Sequence, residues 1–214
     1  MVTRTFQAVI FDMDSTLVDS LPAIIRVWTR FAYRYGLTEQ QLMGMFGRST
    51  ESVVTELVLP DRQAEAMAWI TEHELVDQEG VVALPGAVRA LEQVGPRSAI
   101  ATSATRPMAY ARLEAAGLPV PEVVVTANDV QWAKPDPQIF LRAAERLGVD
   151  PRGCLVVEDA PNGLRAARAA GMAKVAVTTT HTADELVGLA DLVVPDLAHL
   201  SWEATDRGVT VTPH

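Results

Sequence analysis

Lysine and cysteine are the scarce residues of this sequence: it has two lysines, Lys134 and Lys174, and one cysteine, Cys154. A single thiol excludes an intramolecular disulfide, and the apolar run Cys154–Val157 marks it as a core residue rather than a reactive one. Paired His or Cys ligands are also missing. His73, His181, His199 and His214 are scattered, which disfavours zinc. No stretch approaches the roughly 18 apolar residues of a membrane span. Ala8–Phe11 is too short for a secretory leader and runs straight into aspartates. The expectation is a soluble, cytoplasmic protein without a membrane partner. Positive charge is short as well: the formal net charge of -9 argues against nucleic acid, whose phosphates need a basic surface. A small anion is not excluded, because local charge or a metal decides what binds in a cleft.

What is present is a chain of 214 residues, 49% hydrophobic and 21% charged, enough for one core plus a small accessory unit. Gln7–Phe11 reads as a buried parallel strand. Asp19 and Ser20 offer N-cap oxygens to an amphipathic helix that reaches Tyr35 and stops at Gly36. Helical text continues through Glu39–Phe46, Glu51–Leu59 and Asp61–Glu79, with no convincing strand between Leu17 and Glu79. The Trp28, Phe31 and Tyr35 group, at helical spacing, belongs to the core of this block. After Gly80 strands alternate with helices: strands at Ser98–Thr102, Val123–Thr126, Leu155–Glu158, Lys174–Val177 and Leu192–Val194, and helices to Val94 and at Arg106–Ala116, Asp136–Leu147, Asn162–Ala170 and Thr182–Leu189. That alternation predicts an α/β fold with a doubly wound parallel sheet, into which residues 16–85 are inserted as a helical domain between core segments 1–15 and 86–214.

Ligands of open parallel sheets bind beyond the carboxyl ends of the strands. Asp12 and Asp14 come after the first strand; Thr102 and Ser103 end the second. Lys134 and Pro135 lie beyond the third, and Glu158 and Asp159 end the fourth. Crowded carboxylates repel and must share protons or a cation. Oxygen-only ligands with room left for water and phosphate suit Mg²⁺.

The run from Phe11 to Asp19 (Phe-Asp-Met-Asp-Ser-Thr-Leu-Val-Asp) resembles the first motif of the haloacid dehalogenase-like hydrolases. Ile100–Ser103, Lys134-Pro135 and Val157–Gly163 resemble the other three, in order and spacing across essentially the whole chain. Ser15 stands where that family usually has glycine, a small-for-small change expected to be tolerated. The insert resembles the small helical cap of the phosphoglucomutase and phosphoglycolate phosphatase branch. Stretches such as Ala83–Gly86 and Val156–Pro161 look most like bacterial sugar-phosphate and hexitol-phosphate phosphatases. The resemblance implies a Mg²⁺-dependent phosphatase acting on a small phosphorylated sugar or polyol.

On that resemblance Asp12 is the nucleophile. Asp14 is the general acid and base, and its backbone carbonyl is a metal ligand. Lys134 balances the phosphate and Asp12. Asp12, Asp14, Glu158 and Asp159 make up the metal set. Thr102 and Ser103 bind phosphate oxygens, although Ser-Ala-Thr-Arg-Pro is also ordinary turn chemistry. Arg48 reads equally as a substrate-recognition residue and as a surface salt-bridge partner. Trp132, near Lys134, reads as a residue that lines the pocket or packs, with packing preferred. A phosphomutase and a catalytically silent phosphate-binding regulator stay open as alternatives. The expected state is a monomer, with nothing in the sequence against a dimer.

Overall fold

Short apolar runs buried along their whole length become the central strands of a computed structural model that describes residues 4–38, 40–41 and 50–214. These are β2 (Ala8–Phe11), β5 (Ser98–Ala101), β6 (Val123–Val125), β7 (Cys154–Glu158) and β8 (Ala173–Val177). With β9 (Leu192–Val194) they form a six-stranded sheet in the order β6-β5-β2-β7-β8-β9, parallel at every pairing. Such runs are continuous rather than alternating because helices cover a parallel sheet on both faces. Ala8 and Ile10 of β2 pack with Ile139, Phe140 and Ala143 of the helix Gln138–Leu147. Their neighbour Phe11 meets Trp202 edge-on, with ring centroids 5.5 Å apart. The chain runs from β2 outward through β5 to β6, then returns to the other side of β2 at β7. That reversal of strand order places the topological switch point at β2, whose carboxyl end carries Asp12.

The chain divides into two compact units, Met1–Asp19 with Val82–His214, and Ser20–Val81. The second unit holds the helices Leu21–Tyr35, Thr50–Leu57 and Gln63–Val76 around a core of Val27, Trp28, Phe31, Val53, Val54, Ala66 and Ile70. Trp28 and Phe31 meet edge-on at 5.1 Å between centroids, and Trp28 Nε1 donates to Glu74 at 2.9 Å. Gly36 ends the first helix at φ 67°, a left-handed conformation that glycine adopts without strain. Ser20 occupies the N-cap position of that helix but makes no side-chain capping bond. The helix expected over residues 39–46 falls largely outside the described residues. Among those described, no helix is long and apolar enough to cross a membrane.

Two sets of strands depart from the sequence reading. β3 (Val18–Asp19) pairs antiparallel with β4 (Val82–Ala83), so a strand does lie between Leu17 and Glu79. Two residues are too few to display a period of two; backbone pairing alone makes this ribbon, extended by the Leu84 N–H donating to the Leu17 carbonyl at 2.9 Å. A separate antiparallel sheet joins β1 (Arg4–Phe6), β11 (Gly208–Pro213) and β10 (Leu200–Thr205). Its pattern was in plain view: Leu200 and Trp202, like Val209 and Val211, are buried alternately with more exposed polar neighbours.

Candidate active site

Backbone bonds carry the sheet register one residue past the strands and so fix where the functional side chains begin. The Asp12 N–H donates to the Val157 carbonyl at 2.9 Å, and the Thr102 N–H to the Val125 carbonyl at 2.9 Å. The chain then turns back beyond Asp12: the Met13 carbonyl accepts from the N–H groups of Leu17 at 2.8 Å and Val18 at 3.0 Å. Ser15 sits in this turn at φ 62°, the left-handed region where a side chain is strained and glycine is not. The turn nevertheless closes, with the Ser15 N–H donating to the Val18 carbonyl at 2.7 Å.

The Lys134 ammonium donates to Asp12 Oδ1 at 2.5 Å, 122 residues away in sequence, and to Glu158 Oε1 at 2.8 Å, 24 residues away. The three side chains are 9% exposed or less. The other Glu158 oxygen accepts the Ala160 N–H at 2.7 Å. Asp159 accepts the Thr16 hydroxyl at 3.2 Å through Oδ1 and the Thr180 hydroxyl through Oδ2. One oxygen each from Asp12, Glu158 and Asp159 lies within 4.8 Å of the others.

Three buried acids face one ammonium. Burial, reinforced by Glu158 and Asp159 and opposed by Lys134, pushes the Asp12 carboxyl well above the usual carboxylate range. Burial and then Glu158 push Asp159 up to about 7, against the pull of Thr180, Lys134 and Thr16. Burial works against the Lys134 charge as well, but Asp12 and Glu158 outweigh it and hold the ammonium above the ordinary lysine range. Two carboxylates at the 4.8 Å limit repel by about 3 kcal/mol at an effective dielectric constant near 20. The cluster, with more negative than positive charge when ionised, therefore fits a small hard divalent cation: the donors are all oxygen and the unbalanced charge is negative.

Asp12, Lys134, Glu158 and Asp159 are thus brought together as the sequence places them. The Asp14 carboxylate stands outside that acidic cluster, and Arg112 Nη1 meets its Oδ2 at 2.9 Å. Thr102 is buried, and its hydroxyl accepts the Ala104 N–H at 3.0 Å, so the turn chemistry read as the alternative is realised. Ser103 is exposed in the same turn. Arg48 lies outside the described residues. Trp132 does not pack: it is 59% exposed, in a stretch pinned by Gln138 Oε1 accepting the backbone N–H groups of Gln131 and Trp132. Thr16, Thr179, Thr180 and Arg112 escaped the sequence reading. Thr179 and Thr180 lie just past β8, so extending the inspection of strand ends to the fifth parallel strand would have found them. The Thr179 hydroxyl donates to the Ser15 carbonyl, tying that strand end to the strained turn. Gly163, in the helix Pro161–Ala169, leaves the space that the Glu158 carboxylate fills.

A family profile described as haloacid dehalogenase-like hydrolase matches residues 9–177, a span that contains every member of this cluster. The chain is 39% identical over 206 residues to hexitol phosphatase A of Escherichia coli, covering 93% of this chain and 95% of that one. It is 34% identical over 177 residues to a fructose-1-phosphate phosphatase of the same organism, covering 78% and 94%. The crystal structure of a hydrolase from Pseudomonas syringae superposes with a TM-score of 0.76 at 28% identity, covering 90% of this chain and 94% of that one.

Proposed function

This chain belongs to the haloacid dehalogenase-like hydrolases, and from that premise we propose that it is a Mg²⁺-dependent phosphatase of small sugar or polyol phosphate monoesters, acting through an aspartyl-phosphate on Asp12. The observation that carries this reading is the buried contact of Asp12 with Lys134 inside the cluster completed by Glu158 and Asp159. Asp12 attacks phosphorus through a carboxylate oxygen while the bond from phosphorus to the ester oxygen breaks. Asp14 gives its proton to the departing oxygen, so the alcohol leaves neutral and Asp14 becomes a carboxylate. Water then attacks phosphorus and returns a proton to Asp14; the bond from Asp12 to phosphorus breaks and inorganic phosphate is released. Lys134 keeps Asp12 oriented and balances its charge throughout. In this reading Thr102 donates to the phosphate oxygens through its hydroxyl, its N–H being held by the Val125 carbonyl, and Ser103 donates from its exposed position. Asp12, Glu158 and Asp159, with the Asp14 backbone carbonyl, would hold Mg²⁺, which when bound supplies positive charge to the phosphate oxygens.

The helical unit Ser20–Val81 is assigned the part of a cap that selects the substrate. The substrate class itself is supported by the hexitol and fructose-1-phosphate phosphatases the chain resembles. The test is a panel of hexitol phosphates, fructose 1-phosphate and glycerol 1-phosphate with Mg²⁺, read by release of inorganic phosphate. Release from at least one of them, abolished by Asp12→Asn, is expected. Isomerisation without phosphate release, or turnover retained in Asp12→Asn, would overturn the proposal.

A further inference from the structure

Arg112 stands in the last turn of the helix Arg106–Ala115, a position where a basic side chain ordinarily extends into water and complements the helix dipole. Here its side chain is 8% exposed instead, and Nη1 lies 2.9 Å from Asp14 Oδ2. The arginine that opens the same helix behaves in the ordinary way: Arg106 is 47% exposed and pairs with Asp129. Taking a guanidinium out of water is unfavourable unless a fixed partner compensates, so the burial of Arg112 is tied to where Asp14 stands. Asp14 belongs to the turn built on the Met13 carbonyl, not to a strand or helix, and its backbone alone does not choose among the staggered orientations of the carboxylate.

We propose that Arg112 is a positioning residue for the reaction: through its buried ion pair it sets where the Asp14 carboxylate stands. The inference rests on the reading of Asp14 as general acid and base. The carboxylate placed by that pair gives its proton to the leaving alkoxide and takes one back when water attacks the acyl phosphate. Arg112 touches neither phosphate nor alcohol in this scheme and acts only through Asp14. Sequence separation hides the pair, since the helix that carries Arg112 begins after the second strand end and Asp14 lies beyond the first.

The discriminating experiment compares leaving groups. Alkyl alcohols need a proton to depart; p-nitrophenolate does not. For Arg112→Met, kcat with the best sugar or polyol phosphate of the panel falls about 100-fold, the low end of what a positioned general acid contributes, with KM nearly unchanged. Single-turnover release of p-nitrophenolate from p-nitrophenyl phosphate falls less than about threefold, because phosphorylation of Asp12 then proceeds without the acid. Arg112→Lys, which keeps the charge but not the fork, recovers part of the lost kcat. Circular dichroism and a melting curve establish folding, and where Arg112→Met does not fold, Arg112→Lys carries the same comparison. Equal losses with both substrates, or kcat at the wild-type level, overturn the proposal. Asp14→Asn is measured alongside: if it too affects both substrates equally, the fault lies with Asp14 as the acid, whereas the expected selective loss in Asp14→Asn without one in Arg112 variants rejects Arg112 alone.

Discussion

Replacing Gly163 by alanine sets two effects of opposite sign against each other. Gly163 lies inside the helix Pro161–Ala169, where alanine is the better helix former by about 1 kcal/mol. Helix propensity alone therefore predicts a more stable protein. A Cβ built on Gly163, however, overlaps the Glu158 carboxylate and comes within 2.6 Å of its Cγ. A free glutamate would swing aside at little cost, but this one is 2% exposed and held from two sides, by Lys134 at Oε1 and by the Ala160 N–H at Oε2. Overpacking costs about 1–3 kcal/mol, and a lost hydrogen bond to a charged group adds roughly 1.5–3 kcal/mol. The steric effect wins, with a net loss of about 1.5–5 kcal/mol after the helix gain is subtracted. For a chain of this size that lowers the melting midpoint by roughly 3–20 °C. Because Glu158 belongs to the proposed metal set, the Mg²⁺ concentration for half-maximal phosphate release rises about 10-fold or more. Melting curves with and without Mg²⁺, together with a Mg²⁺ titration of activity, read both consequences. A Gly163→Ala protein that melts higher than wild type and needs no more Mg²⁺ would show that Glu158 is not confined as described.

Ser15→Gly should stabilise the protein by about 0.5–1 kcal/mol, since relief of the left-handed strain exceeds the added freedom of the unfolded chain; a urea midpoint at or below the wild-type value contradicts this. Metal-free protein should lose stability as pH rises through about 7, because the pKa values of Asp12 and Asp159 are raised on folding: the folded state binds the extra protons, and their contribution is complete only below the ordinary carboxylate range. Melting midpoints in chelator should therefore fall between about pH 4 and 7, with saturating Mg²⁺ reducing the slope; a flat profile without metal would mean that these acids do not crowd one another.

The acidic cluster was legible because a parallel sheet delivers its strand ends to one edge, and Asp12, Glu158 and Asp159 come at or just past the ends of two neighbouring strands. The residues that escaped work through partners the linear order separates. Thr16 reaches Asp159 across 143 positions and Thr180 does so across 21, and neither is more than an ordinary loop threonine until the fold joins them. Arg112 carries no distinguishing pattern on its helix; only its burial against Asp14 sets it apart. β3 and β4 were too short to show a period, whereas β10 and β11 displayed theirs and were passed over. Trp132 was misplaced because aromatic character favours burial on average, while its loop holds it out from the strand that precedes it.

The central claim is that Asp12 becomes covalently phosphorylated, and trapping that bond tests it most directly. Enzyme quenched during turnover of an active phosphate ester and reduced with borohydride converts an aspartyl phosphate to homoserine, which peptide mass spectrometry locates. Homoserine at position 12, absent when substrate is omitted, is the predicted result. Reduction at another position, or none while phosphate release proceeds under the same conditions, would contradict the account.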